Sequence, residues 1–344
     1  MPSNRPSTYR PNRAPLAAAR NATATQARQD EALRYREQGY SYASIASWLG
    51  YRAAHGAAEA CRAARARRAQ VEAVITTAAP QRRVTTSFPR QGRTFGLEIE
   101  FYGITPQAAV DALAGVGIAA SFEGYTHTVL NRWKIVTDAS VTSTGTGRSV
   151  GLELVSPILQ GEAGFAEAAK AVKALRDAGA KQNRTCGVHV HIGMDGLNGA
   201  QIMGVFDLYT KNQRNINGLV SRSRHNNRYC EVGVRTYEQG YLQRLRGATT
   251  VTSIKEVVRG LDRFRTVNLT AYAKYGTVEF RQHQGTLNGK KLVSWVKFLL
   301  AIVEAGSNGT DGEFANLSDL LGSLTMDATT TAYLGQRADR LAQV

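Results

Sequence analysis

The stretch Thr185-Cys186-Gly187-Val188-His189-Val190-His191-Ile192-Gly193 alternates in character. Side chains of a strand repeat every two residues, so Val188, Val190 and Ile192 share one face and His189 and His191 the other. Two imidazoles so spaced can be aimed at one ion or one phosphate. Phe95-Gly96-Leu97-Glu98-Ile99-Glu100-Phe101 alternates in the same way. Its two carboxylates, about 7 Å apart at the α-carbons, can converge on hard cations, which prefer oxygen ligands. Gly151–Pro157 places Glu153 among apolar neighbours, and Thr277–Arg281 sets Glu279 and Arg281 opposite Val278 and Phe280. Taken singly, each of these is an ordinary solvated strand face. Exposed faces usually mix Thr, Lys, Gln and Ser, and these four do so much less. Glu98, Glu100, Glu153, His189, His191, Glu279 and Arg281 gathered on one side of a sheet describe a phosphoryl-transfer site. Several cations would neutralise phosphate charge there, and an arginine would add to that stabilisation.

The elements that must carry these strands are legible from periodicity. Apolar stripes predict helices over 161–178, with Phe165, Ala169, Val172 and Leu175 inward, and over 199–220 as one long helix. A third helix is expected over 289–305 around Leu292, Trp295, Val296, Leu299 and Leu300, and two short ones within 315–343. Residues 133–140 read as a strand ending in Asp138 and Ser140. A Gly/Ser/Thr loop follows and feeds a strand, not a helix, which argues against a P-loop. Arg265 and Asn268 fall in a strand-like run over 263–272. Arg222, Arg224 and Arg228 crowd one polar loop, where they could grip phosphate or carboxylate or remain solvated. Cys186 reads as a small buried residue opening a tight strand, since no base–orienter pair accompanies it.

Hydrophobic residues make up 43% of the 344, enough for a substantial core. No apolar run approaches the ~18 residues of a membrane helix, and the polar, Arg/Pro-rich N-terminus has no secretory pattern. Three scattered cysteines without CxxC spacing point to a reducing, cytoplasmic setting and away from a disulfide scaffold. The net charge of +16 is uneven: residues 1–93 hold sixteen arginines and five acids, a net of +11, and the remainder carries +5. A polyanion partner is therefore sought in the N-terminal quarter. Residues 1–28 read as a disordered basic tail, 29–75 as a small helical domain, 76–93 as a linker and 94–344 as an α+β domain. Within 29–75, Asp30–Glu37 form a first helix, Ser41 caps a second that ends at Leu49-Gly50, and a long Ala/Arg helix starts at Ala53. The run Gly39–Gly50 resembles helix-turn-helix proteins. Arg62, Arg65, Arg67 and Arg68 on the third helix suit phosphate contact, so nucleic acid is the expected partner of 29–75. A helical bundle for protein contact fits the same pattern.

The ordered series Gly-x-Glu-x-Glu, Trp-Lys-x-Val-x-Asp-x-Ser, Glu-Leu-Val-Ser-Pro, Cys-Gly-Val-His-Val-His and Val-Glu-Phe-Arg-Gln-His-Gln-Gly-Thr resembles the amidoligases. These belong to the carboxylate–amine ligase superfamily of glutamine synthetase and glutamate–cysteine ligase. The resemblance spans roughly residues 94–304 and leaves the helix-turn-helix-like segment outside. It implies a curved, mainly antiparallel sheet with helices on its convex face, whose concave face binds ATP and Mg²⁺ or Mn²⁺. By the same resemblance Glu98, Glu100, Glu153, His189 and Glu279 are metal ligands. His191 and Arg281 face phosphate or substrate, and Glu100, His191 and Arg281 are the catalytic set. Arg222, Arg224 and Arg265 are carried over more loosely as nucleotide contacts. The implied reaction activates a small-molecule or peptide carboxylate as an acyl phosphate, which an amine then converts to an amide.

Two other classes fit these residues. A metal-dependent hydrolase or nuclease built on His-x-His and the acids would cleave without ATP. A non-enzymatic DNA-binding protein with a degenerate ligase domain would bind DNA and no nucleotide. Neither the acid, the amine nor the oligomeric state follows from the sequence.

Overall fold

The computed structural model describes residues 25, 28–33, 35–37, 40–77, 92–124, 126, 128–142, 150–225 and 227–343, with side chains up to 67 in the segment that ends at 77. Nearly all of the expected tail and linker, and most of the Gly/Ser/Thr loop, lie outside them. The chain divides into two compact units, Met1–Ser87 and Phe88–Val344.

In the first unit, the helix Tyr42–Leu49 starts where Ser41 Oγ accepts from Ser44 N at 3.1 Å. It stops at Gly50, whose φ of 69° lies in the left-handed region that favours glycine. The helix Ala54–Thr77 follows. Leu33, Ile45, Ala57, Ala60, Cys61 and Ala64 close a small core between the helices.

The second unit is α+β. Its seven-stranded sheet runs in the order β2-β3-β4-β1-β5-β7-β6. The strands are β1 Phe95–Phe101, β2 Ala120–Phe122, β3 Trp133–Thr137, β4 Leu152–Val155, β5 Gly187–Gly193, β6 Val267–Asn268 and β7 Thr277–Gln284. β2 pairs parallel to β3, and the other neighbours are antiparallel. Phe95, Leu97, Ile99 and Phe101 of β1 share the core face with Ile135, Leu152, Leu154, Val188, Val190, Ile192, Val278 and Phe280. The helices Gly161–Asp177, Gly199–Lys211 and Gly289–Ser307 pack on that apolar face. The opposite face carries the charged residues. The expected strands form where alternation placed them, except that the strand-like run over 263–272 shortens to Val267–Asn268 and gives way to the helix Ala271–Tyr275; β2 and the helix Pro106–Gly115 were not read from the sequence.

The helix expected over 199–220 breaks at Asn212, into Gly199–Lys211 and Gln213–Asn217. The fully buried Asn212 side chain is the cause. Its amide donates to Leu208 O and Gly312 O, and its carbonyl accepts from Phe314 N. A side chain that serves three backbone groups competes with helix continuation. Among the described residues, no helix is long and apolar enough to cross a membrane.

Candidate active site

β1 lies between β4 and β5, and β7 lies beyond β5, so four strands contribute to one patch. Register aligns Glu100 with Glu153, Glu98 with His189, and His191 with Glu279. Between β5 and β7 the register slips: Val190 faces Phe280, and Val188 faces His283. Two residues of β7, Arg281 and Gln282, thus oppose His189 alone, which is a β-bulge. Arg281 stays on the polar face. Gln282 turns to the helices, where it bonds Tyr209, Gln213 and Asn217.

His189 is the hub. Its Nδ1 lies 3.0 Å from Glu98 Oε2 and 3.6 Å from Glu279 Oε1, and its Nε2 lies 3.7 Å from Glu100 Oε1. Ligand atoms of Glu98, His189 and Glu279 lie within 4.8 Å of one another, as do those of Glu100, Glu153 and His189. Each trio offers two carboxylates and an imidazole, a donor set that suits Mg²⁺ or Mn²⁺. Gly187 makes room for this arrangement. Its N–H donates to Glu100 Oε2 at 2.6 Å, and a Cβ there would stand 3.2 Å from both His189 Nε2 and Arg224 Nη2.

The charges are strongly coupled. Burial pushes the Glu153 carboxyl well above its ordinary range, and Glu98, Glu100 and Asp138 add to the shift by like-charge repulsion. Burial also raises Glu100. Glu98 is held well below the usual range: its burial is outweighed by the hydrogen bond with His189 and by the ion-pair contacts with His189 and His191. Burial of Glu279 is likewise outweighed, by the Arg281 guanidinium and by His191, and its carboxyl is lowered. Glu279 is fixed from both sides, by an ion pair with Arg281 and by Asn268 Nδ2 at 2.6 Å. Arg281 Nε donates to Tyr229 O at 3.1 Å.

His191 donates or accepts at Nδ1 with Thr277 Oγ1, 3.0 Å away. Its buried Nε2 lies 3.4 Å from Glu98 Oε1 and makes no hydrogen bond. That nitrogen borders a cavity of about 370 Å³ lined by Glu98, Glu153, His191, Lys134 and Tyr275, with Val129 and Ile158 among its apolar residues. The volume falls in the range of small-molecule sites.

The three looser arginines part ways. Arg224 is buried beside the cluster, with Nη2 on Arg281 O and Nε on Gln282 O. Arg222 is exposed and has no hydrogen bond or ion pair to the cluster among the described residues. Arg265 is buried, but its guanidinium is held by Glu238 at 2.5 Å and Glu231 at 3.0 Å. Cys186 is fully buried and burial pushes its thiol up to about 11, so it is not a thiolate nucleophile near neutral pH. Asn268, Gly187 and Lys134 were not among the candidates read from sequence. Lys134 had a readable signal: Trp133 and Ile135 point to the core, so alternation puts Lys134 on the polar face beside Glu153.

Fold and site together define an α+β protein whose open sheet gathers carboxylates, imidazoles and arginine on one face. Residues 91–303 match the family described as "Putative amidoligase enzyme", and the chain belongs to that family. No curated protein matches the chain. Membership places it with the amide-forming ligases, which act on small-molecule substrates.

Proposed function

We propose that the protein is an ATP-dependent carboxylate–amine ligase. The observation that carries this reading is the pair of carboxylate–imidazole trios sharing His189, beside a buried Arg281. Both substrates of such a reaction, a triphosphate and a carboxylate, are anions. Mg²⁺ or Mn²⁺ would shield their mutual repulsion, held by the carboxylates of Glu98 and Glu279 and of Glu100 and Glu153, with His189 ligating in one trio at a time because a neutral imidazole has a single free lone pair. His191, which pairs with Glu98 at 3.4 Å and lines the adjoining cavity, fits a contact to a phosphate oxygen of a nucleotide there. Arg281 and Arg224 hold positive charge at the Glu100 end, where the transferred phosphoryl group would lie. The acid's carboxylate oxygen attacks the γ-phosphorus and ADP leaves. The amine then attacks the acyl carbon of that acyl phosphate, inorganic phosphate departs, and the amine's surplus proton passes to a base.

The test is phosphate release from ATP with Mn²⁺ and pools of acids and amines. Release should require both an acid and an amine, and should fall by about 100-fold or more in Glu100→Gln and Arg281→Ala. Wild-type rates in both variants would refute the assignment, and cleavage of esters or nucleic acid without ATP would favour a hydrolase.

For the first unit we propose nucleic-acid binding through the helix Ala54–Thr77. Arg62 and Arg65 are exposed on it, whereas Arg67 is engaged by Asp30 and Gln29. Affinity of the full chain for a labelled duplex should fall steeply with salt, and each of Arg62→Ala and Arg65→Ala should shallow the log–log slope by about 1. No duplex binding at low salt would end this reading.

A further inference from the structure

Lys134 takes no part in the chemistry described so far. It lies on β3 between Trp133 and Ile135, whose side chains enter the core, so its own projects to the polar face. The residue is only 4% exposed. Its Nζ donates to Thr126 O at 3.2 Å and to Thr128 O at 2.6 Å. An ammonium has three donors, and no carboxylate among the described residues forms an ion pair with this one. Burial works against its charge, and Glu153, Glu98 and Glu123 support that charge from beyond ion-pair distance. Lys134 lines a cavity of about 370 Å³ together with Glu98, Glu153 and His191. His191 lines the same cavity, and its buried Nε2 has only the ion-pair contact with Glu98 Oε1 at 3.4 Å. Glu98 and Glu153 repel an anion there, and Lys134 supplies a fixed positive charge beside them.

We propose that the Lys134 ammonium hydrogen-bonds an oxyanion bound in this cavity. Given the ligase reading, on which this part rests, that oxyanion is a nucleotide phosphate or the carboxylate of the acid substrate. Calorimetric titrations of the full chain in Mn²⁺, with adenosine, ADP, β,γ-imido-ATP, pyrophosphate and acetate as probes, separate the two. The variants are Lys134→Met, which keeps length without charge, and Lys134→Gln. Glutamine's two amide N–H groups can still serve the Thr126 and Thr128 carbonyls, so it separates loss of charge from loss of the tether to that loop.

In both variants, affinity for one class of anion should drop at least tenfold while adenosine binding is unchanged. A drop confined to ADP, the imido analogue and pyrophosphate identifies phosphate; a drop confined to acetate identifies the acid's carboxylate. Equal affinity of variants and wild type for every anion overturns the proposal, as does a loss that adenosine shares or a wild type that binds none of the anions. Wild-type binding of pyrophosphate through Lys134 without any nucleotide binding would leave the proposal standing and sink the ATP reading instead.

Discussion

Glu153→Gln should cripple cation binding at the Glu100–Glu153–His189 trio without weakening the fold. Glu153 belongs to the trio with Glu100 and His189. Its carboxyl is driven up by burial and by three neighbouring acids, so the fold gains little from its charge. Glutamine keeps the shape and removes that charge. Mn²⁺ at a hundredfold excess over its dissociation constant should stabilise the wild type by about 2.7 kcal/mol, a Tm rise of roughly 5–10 °C for a domain of this size. The same addition should raise the variant's Tm by clearly less than it raises that of the wild type, the remainder coming from the Glu98–His189–Glu279 trio. Calorimetry should show Mn²⁺ affinity reduced by about 100-fold or more, since even supporting residues outside the ligand set cost about 10–100-fold. The metal-free variant should melt no lower than the metal-free wild type. A variant that binds Mn²⁺ normally would remove Glu153 from the ligand set.

Arg265→Met should cost about 3–5 kcal/mol of stability, a Tm loss of roughly 6–20 °C. The Arg265 side chain is 7% exposed and that of Glu238 is 2% exposed, and they meet in a buried ion pair. Glu238 also accepts from Arg235 N at 2.8 Å and Asp262 N at 3.0 Å, which fixes it in place. Removal of the guanidinium strands that charge in the interior, where the penalty of an unpaired ion exceeds the worth of a surface bridge. Chemical denaturation of the variant measures the loss. The resemblance offered Arg265 as a nucleotide contact, and the same variant tests that role. A variant of undiminished stability that no longer binds β,γ-imido-ATP would return Arg265 to the nucleotide site.

Much of the sheet was legible because alternation is a local property. Leu97, Ile99, Val188, Val190, Val278 and Phe280 are all fully or nearly fully buried, as a two-residue period demands of a face packed under helices. The same period put Glu98, Glu100, His189, His191, Glu279 and Arg281 on the other face. What the pattern lacked were elements without a clean period. β2 is three residues long, and the break at Asn212 depends on Gly312 and Phe314, a hundred residues away.

The sequence by itself determined which residues could do chemistry and on which side of each strand they stand, because backbone sterics fix side-chain direction within a strand. It did not determine which of them meet. The pairing of Glu98 with His189 and of Glu100 with Glu153 is a matter of strand order and register. So is the bulge that leaves Arg281 facing the cluster while Gln282 turns inward. Arg224 and Arg265 look alike in the chain, yet one borders the site and the other is consumed by two carboxylates. Lys134 is one lysine among several in the chain, and only the tertiary structure buries it on the wall of a cavity. Those distinctions rest on contacts between residues far apart in sequence, and only the folded chain brings them within hydrogen-bonding distance.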